Sequence, residues 1–226
     1  MASCPLPAIV FDGVIDVSHH NGAIDWPAVA GAGIVLAFVK ATQGVGFVDP
    51  AFARNRCAAV AAGILVVPYH FLDAADPLRQ AAHFLSVTTL RPGDAAMIDW
   101  ESDAPAGALV AFGRAVAKRT GRDPLAYYGC AQLAEADPDL SRWPLMLPEY
   151  PQGEAPGDYA ELVARPPRLP AGRVPDWHGG GRPYDFHQYT PAGRVAGIAG
   201  PVDRSVWVGM PAELRAWYAS AAPPLG

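Results

Sequence analysis

With 226 residues and a 51% hydrophobic content, the chain can bury one sizeable core, and a charged fraction of 17% excludes a largely disordered polymer. A net charge of −5 excludes a broad electrostatic grip on nucleic acid or on an anionic membrane surface, and leaves neutral and zwitterionic glycans open as partners. No apolar run approaches the roughly 20 residues needed to cross a bilayer. The start, Met1-Ala2-Ser3-Cys4-Pro5, lacks the basic and apolar regions of a secretory leader.

In chain order, short β-rich runs alternate with Ala-rich amphipathic stretches. Gly13 to Val17 reads as a strand and Trp26 to Ala32 as a short helix. Ile34 to Lys40 is an apolar strand, followed by a turn at Thr42-Gln43-Gly44. Ala51 to Ala62 is helical and stops at Gly63, a residue suited to a helix C-terminus. Ile64 to His70 is the next strand, and Pro77 to Ser86 a helix with proline in its first turn. Ala95 to Asp99 is a strand, Ala106 to Thr120 a helix ended by Gly121, and Leu125 to Tyr128 a strand. These strand–helix units, with strands apolar on both faces, describe a parallel sheet covered by helices, either a closed barrel or an open doubly wound sheet. The first strand–helix turn has no glycine-rich phosphate fingerprint, which counts against a nucleotide site.

After Gly129 the pattern changes. Leu145 to Leu147 and Tyr184 to Gln188 read as strands with no long helix between them. Residues 151–182, rich in Pro, Gly and Arg, read as a long surface loop. Pro211 to Ala219 is an amphipathic helix expected to pack on the outside. The whole chain, residues 1–226, is expected to be one catalytic domain with its core at about residues 13–207. Cys4, Cys57 and Cys130 have no zinc spacing, and Cys57 and Cys130 read as buried thiols.

The chemistry concentrates in Met97-Ile98-Asp99-Trp100-Glu101. Alternate residues of an extended segment face one way, so Asp99 and Glu101 share a side with Cα atoms about 6.5 Å apart. Two carboxyl groups that close do not ionise independently, and the proton one of them retains is what a general acid needs at neutral pH. The alternative is a solvated strand end or a helix cap. Asp16, after three apolar residues, and Asp203, near the end of the last strand, are costly to bury unless used or paired. In parallel barrels such groups meet at the C-terminal ends of the strands. Tyr69, Tyr128 and Tyr150 stand at matching strand ends and suit a cleft that stacks sugar faces. Lys40 ends a strand where it can pair with a cleft acid, and His70 is expected on the cleft floor. His19, His20, His70, His178 and His187 show no metal-ligand spacing, so neither a metal nor another cofactor is expected.

Together these pieces resemble the family 25 glycoside hydrolases, lysozymes that cut between N-acetylmuramic acid and N-acetylglucosamine. The matching stretches are Gly13 to Gly22 with Ile24-Asp25-Trp26, Phe38 to Gly44, Asp49 to Phe52 with Asn55, and Tyr69-His70-Phe71. Asp99-Trp100-Glu101, Gln188-Tyr189-Thr190, Gly193-Arg194-Val195 and Gly197 to Asp203 complete them, in family order. The resemblance implies an irregular TIM-like α/β barrel of five β/α units followed by three strands with little intervening helix. It implies Glu101 as general acid and Asp99 as helper to the substrate's own N-acetyl group. Asp16 and Asp203 would hold the charge balance, and Gln188 joins Tyr69, Tyr128, Tyr150, Lys40 and His70 as substrate-binding residues. Peptidoglycan strands are the implied partner of a monomeric enzyme acting at the cell wall. A glycan-binding barrel without catalysis, or a hydrolase of another N-acetylated polymer such as chitin, are the competing functions. The chain departs from the family at Gln43, where Glu is usual, at His187, where Trp is common, and at Pro148-Glu149, which precede the retained Tyr150.

Overall fold

A computed structural model of the chain describes residues 9–129, 140, 143–164 and 184–220. Its strands are β1 (Val10–Val17), β2 (Leu36–Gln43), β3 (Phe47–Val48), β4 (Leu65–Phe71), β5 (Met97–Asp99), β6 (Leu125–Tyr127), β7 (Leu145–Pro148), β8 (Phe186–Gly193) and β9 (Val202–Val208). The helices are α1 (Trp26–Gly31), α2 (Phe52–Ala61), α3 (Pro77–Thr88), α4 (Ala106–Thr120), α5 (Tyr159–Leu162) and α6 (Pro211–Ala219). They start where the sequence supplies caps. Asp25 accepts the Ala28 N–H, and Asp76 accepts those of Leu78 and Arg79 ahead of Pro77. Helix α4 ends at Gly121 in the left-handed conformation.

One sheet runs β1-β9-β8-β7-β6-β5-β4-β2-β3, and β1 also pairs with β2, which closes eight strands into a barrel. Seven of these run parallel, while β9 runs antiparallel to both β1 and β8. Helices α1 to α4 follow the first four barrel strands. After β7 there is only the single turn of α5 among the described residues, and β8 passes to β9 through a short connection. Among the described residues, the expected change of pattern therefore shows after β7, while most of the β6–β7 connection lies outside them. Of the expected long loop, residues 165–182 lie outside the described residues, as do Cys4 and Cys130.

Two apolar layers hold the barrel. Inside, Val14, Leu36, Phe38, Val67, Tyr69, Met97, Leu125, Tyr127, Met146, Phe186 and Trp207 pack into one cluster. Outside, Ile15, Val17, Val39, Ile98, Leu145 and Leu147 meet the helices through Phe84, Leu109, Phe112 and Val116. The alternation of side chains along each strand separates the two layers.

Three expectations are corrected. The turn expected at Thr42-Gln43-Gly44 begins two residues later, at Gly44, because Thr42 and Gln43 pair with Val48 and Phe47 and extend β2 into a hairpin with β3. Helix α6 does not lie on the outer face. Leu214 and Trp217 join the interior cluster, and Trp217 meets Phe186 at 5.2 Å, so α6 plugs the end of the barrel at which β9 finishes. Cys57 is exposed rather than buried.

Candidate active site

The opposite end, where the parallel strands finish, opens into a cavity of about 610 Å³. Its walls carry Asp16 from β1, Lys40 from β2, Tyr69 and Phe71 from β4, Met97 and Asp99 from β5 with Glu101 beyond it, Tyr127 from β6, Tyr150 beyond β7, Gln188 from β8 and Asp203 from β9. All belong to the inward set of their strands. Asp203 was expected near the end of its strand. It stands near the start of β9 instead, and the antiparallel course of that strand brings it to the same rim, registered directly opposite Asp16.

Two expected cleft residues lie on the other side of the sheet. His70 is fully buried behind β4. It accepts from the Thr42 hydroxyl at Nδ1 (2.7 Å), donates from Nε2 to Gln80 Oε1 (3.0 Å) and stacks on Phe112 at 4.6 Å. Burial pushes its pKa down to about 4, so it is a neutral core imidazole. Tyr128 packs against Trp100 in the helix-facing layer. Its neighbour Tyr127, registered beside Asp99, is the tyrosine in the cavity. One step along a strand reverses the face, and the only signal that separates Tyr127 from Tyr128 is the pairing of β6 with β5, which is not local. His187 is likewise buried and outward, bonded to the Glu149 carbonyl at 2.8 Å. It is no stacking platform on the rim.

The rim also contains residues that the strand-end argument did not single out. Ser18, His20, Asn21 and Gly22 form one lip. Ser18 and Asn21 cap each other, with Ser18 N–H donating to Asn21 Oδ1 at 2.9 Å. Asn21 Nδ2 then reaches the Pro201 carbonyl at 3.2 Å, joining this lip to the β8–β9 connection. Gly197 makes that connection fit. Its φ is +93°, and a Cβ there would lie 2.4 Å from the Asp25 carbonyl. The signal for this lip was present in the sequence as the run Ser18-His19-His20-Asn21-Gly22.

At the centre, Gln188 Nε2 donates to Asp16 Oδ2 at 2.6 Å, while Gln188 Oε1 accepts from Tyr127 (2.8 Å) and Tyr150 (2.5 Å). Burial, and then the charge of Asp203, raise Asp16 well above the usual carboxyl range. Asp203 is pushed up to about 6, chiefly by burial, and its bond from Asp16 works against that rise. The two carboxyl groups share a hydrogen bond that raises Asp16 and lowers Asp203, so they do not ionise independently. Asp99 is 9% exposed, and its Oδ1 has no hydrogen-bond partner among the described residues. Burial, then Glu101, raise it, and Lys40 opposes the rise. Glu101 is the exposed acid at the mouth, raised by partial desolvation against a bond from Tyr127 and the charge of Lys40. Lys40 donates to Gln43 Oε1 at 2.9 Å, so Gln43 keeps a polar partner for the lysine without the negative charge of a glutamate.

A closed β/α barrel with a ring of mutually shifted acids and tyrosines at its strand ends is the construction of an enzyme that cleaves glycosidic bonds. The family model for glycosyl hydrolases family 25 matches residues 15–198. Lysozyme M1 of Streptomyces globisporus is 30% identical over 225 residues, covering 89% of this chain and 69% of that protein. Among solved structures, a bacterial lysozyme from Streptomyces coelicolor aligns with a TM-score of 0.71 at 27% identity, covering 92% of this chain and 97% of that one. A muramidase from Trichobolus zukalii shares the fold, with a TM-score of 0.72 at 20% identity over 94% of this chain and 99% of its own. The chain belongs to family 25 of the glycoside hydrolases.

Proposed function

We propose that the protein hydrolyses the β-1,4 bond between N-acetylmuramic acid and N-acetylglucosamine in bacterial peptidoglycan, acting at the cell wall as a monomer. The observation that carries this reading is the division between two neighbouring acids. Glu101 is open to the cavity and raised by partial desolvation, while Asp99 is buried beside it with Oδ1 unpartnered among the described residues.

Glu101 gives its proton to the glycosidic oxygen as the bond to the anomeric carbon breaks. The carbonyl oxygen of the 2-acetamido group attacks that carbon and forms a cyclic oxazolinium, one of the recognised exceptions to a carboxylate nucleophile. Asp99 Oδ1 accepts the acetamido N–H and stabilises the positive charge that develops there. Glu101, now a carboxylate, takes a proton from water, whose oxygen attacks the anomeric carbon and reopens the ring. Two displacements at one carbon give net retention. Asp16, Asp203 and Gln188 hold the floor, and Lys40 balances the negative charge beside Asp99. Tyr69 and Tyr150 present ring faces to the sugars.

Digestion of purified peptidoglycan tests this. Borohydride reduction of the products followed by mass spectrometry should find muramitol at the new ends, and proton NMR should find the β-anomer first. Glucosaminitol ends would overturn the bond assignment, and an initial α-anomer the N-acetyl route. Glu101→Gln should lower turnover by at least about 100-fold while binding persists. A wild type that binds peptidoglycan and releases no muropeptides would instead be a glycan-binding barrel.

A further inference from the structure

Tyr127 has one hydroxyl proton and more than one acceptor. It lies 2.8 Å from Gln188 Oε1, and the same hydroxyl is in hydrogen-bonding reach of the Glu101 carboxylate. The residue is 5% exposed and Gln188 is 3% exposed, so bulk water does not take over either bond. Burial raises the phenol well above its usual range, so Tyr127 stays a neutral donor throughout the working pH range. Gln188 is fixed in orientation because its Nε2 is committed to Asp16 at 2.6 Å, which turns Oε1 toward the tyrosines. Oε1 has a second donor, Tyr150 at 2.5 Å. When Tyr127 turns away, Gln188 Oε1 therefore keeps a partner, and the movement leaves no buried acceptor unpaired.

We propose that Tyr127 is a positioning residue whose hydroxyl follows the catalytic proton: it donates to Gln188 while Glu101 is protonated and turns to donate to Glu101 once that proton has gone to the leaving oxygen. No bond to the phenol hydrogen breaks. The O–H rotates about the ring's C–O bond, stabilises the Glu101 carboxylate during the lifetime of the intermediate, and turns back when Glu101 takes a proton from water. Tyr150 is the spare donor that makes the rotation cheap. The inference rests on Glu101 being the general acid. It adds why two tyrosines share one amide oxygen, which substrate stacking does not explain.

The titratable groups that line the cavity with Glu101 are Asp16, His20, Lys40, Tyr69, Asp99, Tyr127, Tyr150 and Asp203, and only Tyr127 and Tyr150 need be altered to test the idea. A general acid loses activity as pH rises through its pKa. Tyr127→Phe removes a bond that favours the charged form, so the alkaline limb of kcat/KM should move up by about one pH unit, with kcat down about tenfold. Tyr150→Phe should move the limb the same way by less, because Tyr127 is then held on Gln188, and should raise KM. The double variant should move the limb no further than Tyr127→Phe alone. The midpoint of the Glu101 carboxyl is read independently by 13C NMR of glutamate-labelled protein, with its resonance identified as the one missing from Glu101→Gln. That titration needs no turnover and should show the same upward shift. An inactive Glu101→Gln together with a Tyr127→Phe limb and NMR midpoint at wild-type values overturns the role of Tyr127 alone. Wild-type turnover in Glu101→Gln overturns the general-acid reading and this inference with it. Independent shifts that add in the double variant overturn the part given to Tyr150.

Discussion

His70 shows how a single side chain can be read as functional and turn out to be structural. Both ring nitrogens are used, one by Thr42 and one by Gln80, and Gln80 in turn holds the Asp73 N–H and the carbonyls of Asp73 and Ala75. The imidazole thus ties the end of β4 to the start of α3. His70→Leu would leave buried partners unsatisfied, and it should destabilise by about 2–4 kcal/mol. Thermal or urea unfolding checks this, and KM of the folded fraction should not change, which a cleft residue would not allow. Asp16, Lys40, Tyr69, Asp99, Glu101, Tyr150 and Asp203 were legible in the sequence because acids, tyrosines and a lysine at the ends of apolar runs are costly without a use, Gln188 was legible only through the family resemblance, and all of them line the cavity. Tyr128 and His70 were misread because local sequence does not say which alternate residue faces in. That depends on pairing with neighbouring strands distant in the chain.

Helices were the most legible elements, since caps, glycine stops and amphipathic spacing are local. Helix α4 runs from Ala106 to Thr120, as its pattern and Gly121 require. Its interior glycine carries a tertiary constraint that no propensity reveals. A Cβ on Gly113 would lie 2.0 Å from the Trp143 ring. Gly113→Ala should therefore destabilise by about 1–3 kcal/mol through overpacking, although alanine favours helix by about 1 kcal/mol. Chemical denaturation decides the sign, and a gain in stability would mean that Trp143 can move aside. Helix α6 was legible as a helix but not as a plug, because an apolar face does not name the surface that it covers. Arg122 fixes its end, donating to the carbonyls of Trp217 (2.6 Å), Tyr218 (3.2 Å) and Ser220 (3.3 Å) while lying over the Trp217 ring. Trp217→Ala should open the barrel floor and destabilise by about 3–5 kcal/mol. The measured loss should be close to that of a core substitution, not to the few tenths expected at a surface position.

Closure of the barrel is the property of the whole molecule that local reading could not supply, and it sets the electrostatics. The pairing of β1 with β9 sets Asp16 against Asp203 from opposite ends of the chain, and the pairing along β4, β5 and β6 adds Asp99 and Glu101 to the same ring. All four acids have folded pKa values above their usual ones, chiefly through burial, with Asp203 at about 6. In each case the unfolded chain gives up its proton at lower pH than the folded one. The folded state binds more protons across that window, and stability falls as pH rises through it. His70 and His187, both lowered to about 4 by burial, act in the opposite direction. The unfolded chain protonates them first, so their contribution is lost as pH falls from about 6.5 to about 4. Between those values the two slopes oppose each other. Above pH 6.5 the histidines are neutral in both states and no longer contribute, so the remaining slope belongs to the raised acids, with Asp16 and Asp99 the most deeply buried. The melting temperature should therefore decline from about pH 6.5 toward alkaline pH. Asp99→Asn should reduce that decline and raise the melting temperature at pH 8 by a few degrees, about what 1 kcal/mol gives a chain of this size. The same variant should approach the wild-type melting temperature at about pH 2.5, where Asp99 is protonated in both states, and should lose turnover at every pH. Scanning calorimetry from about pH 2.5 to 8 measures the effect. An equal stabilisation at both ends of that range would show that the gain comes from packing and not from relief of a buried charge.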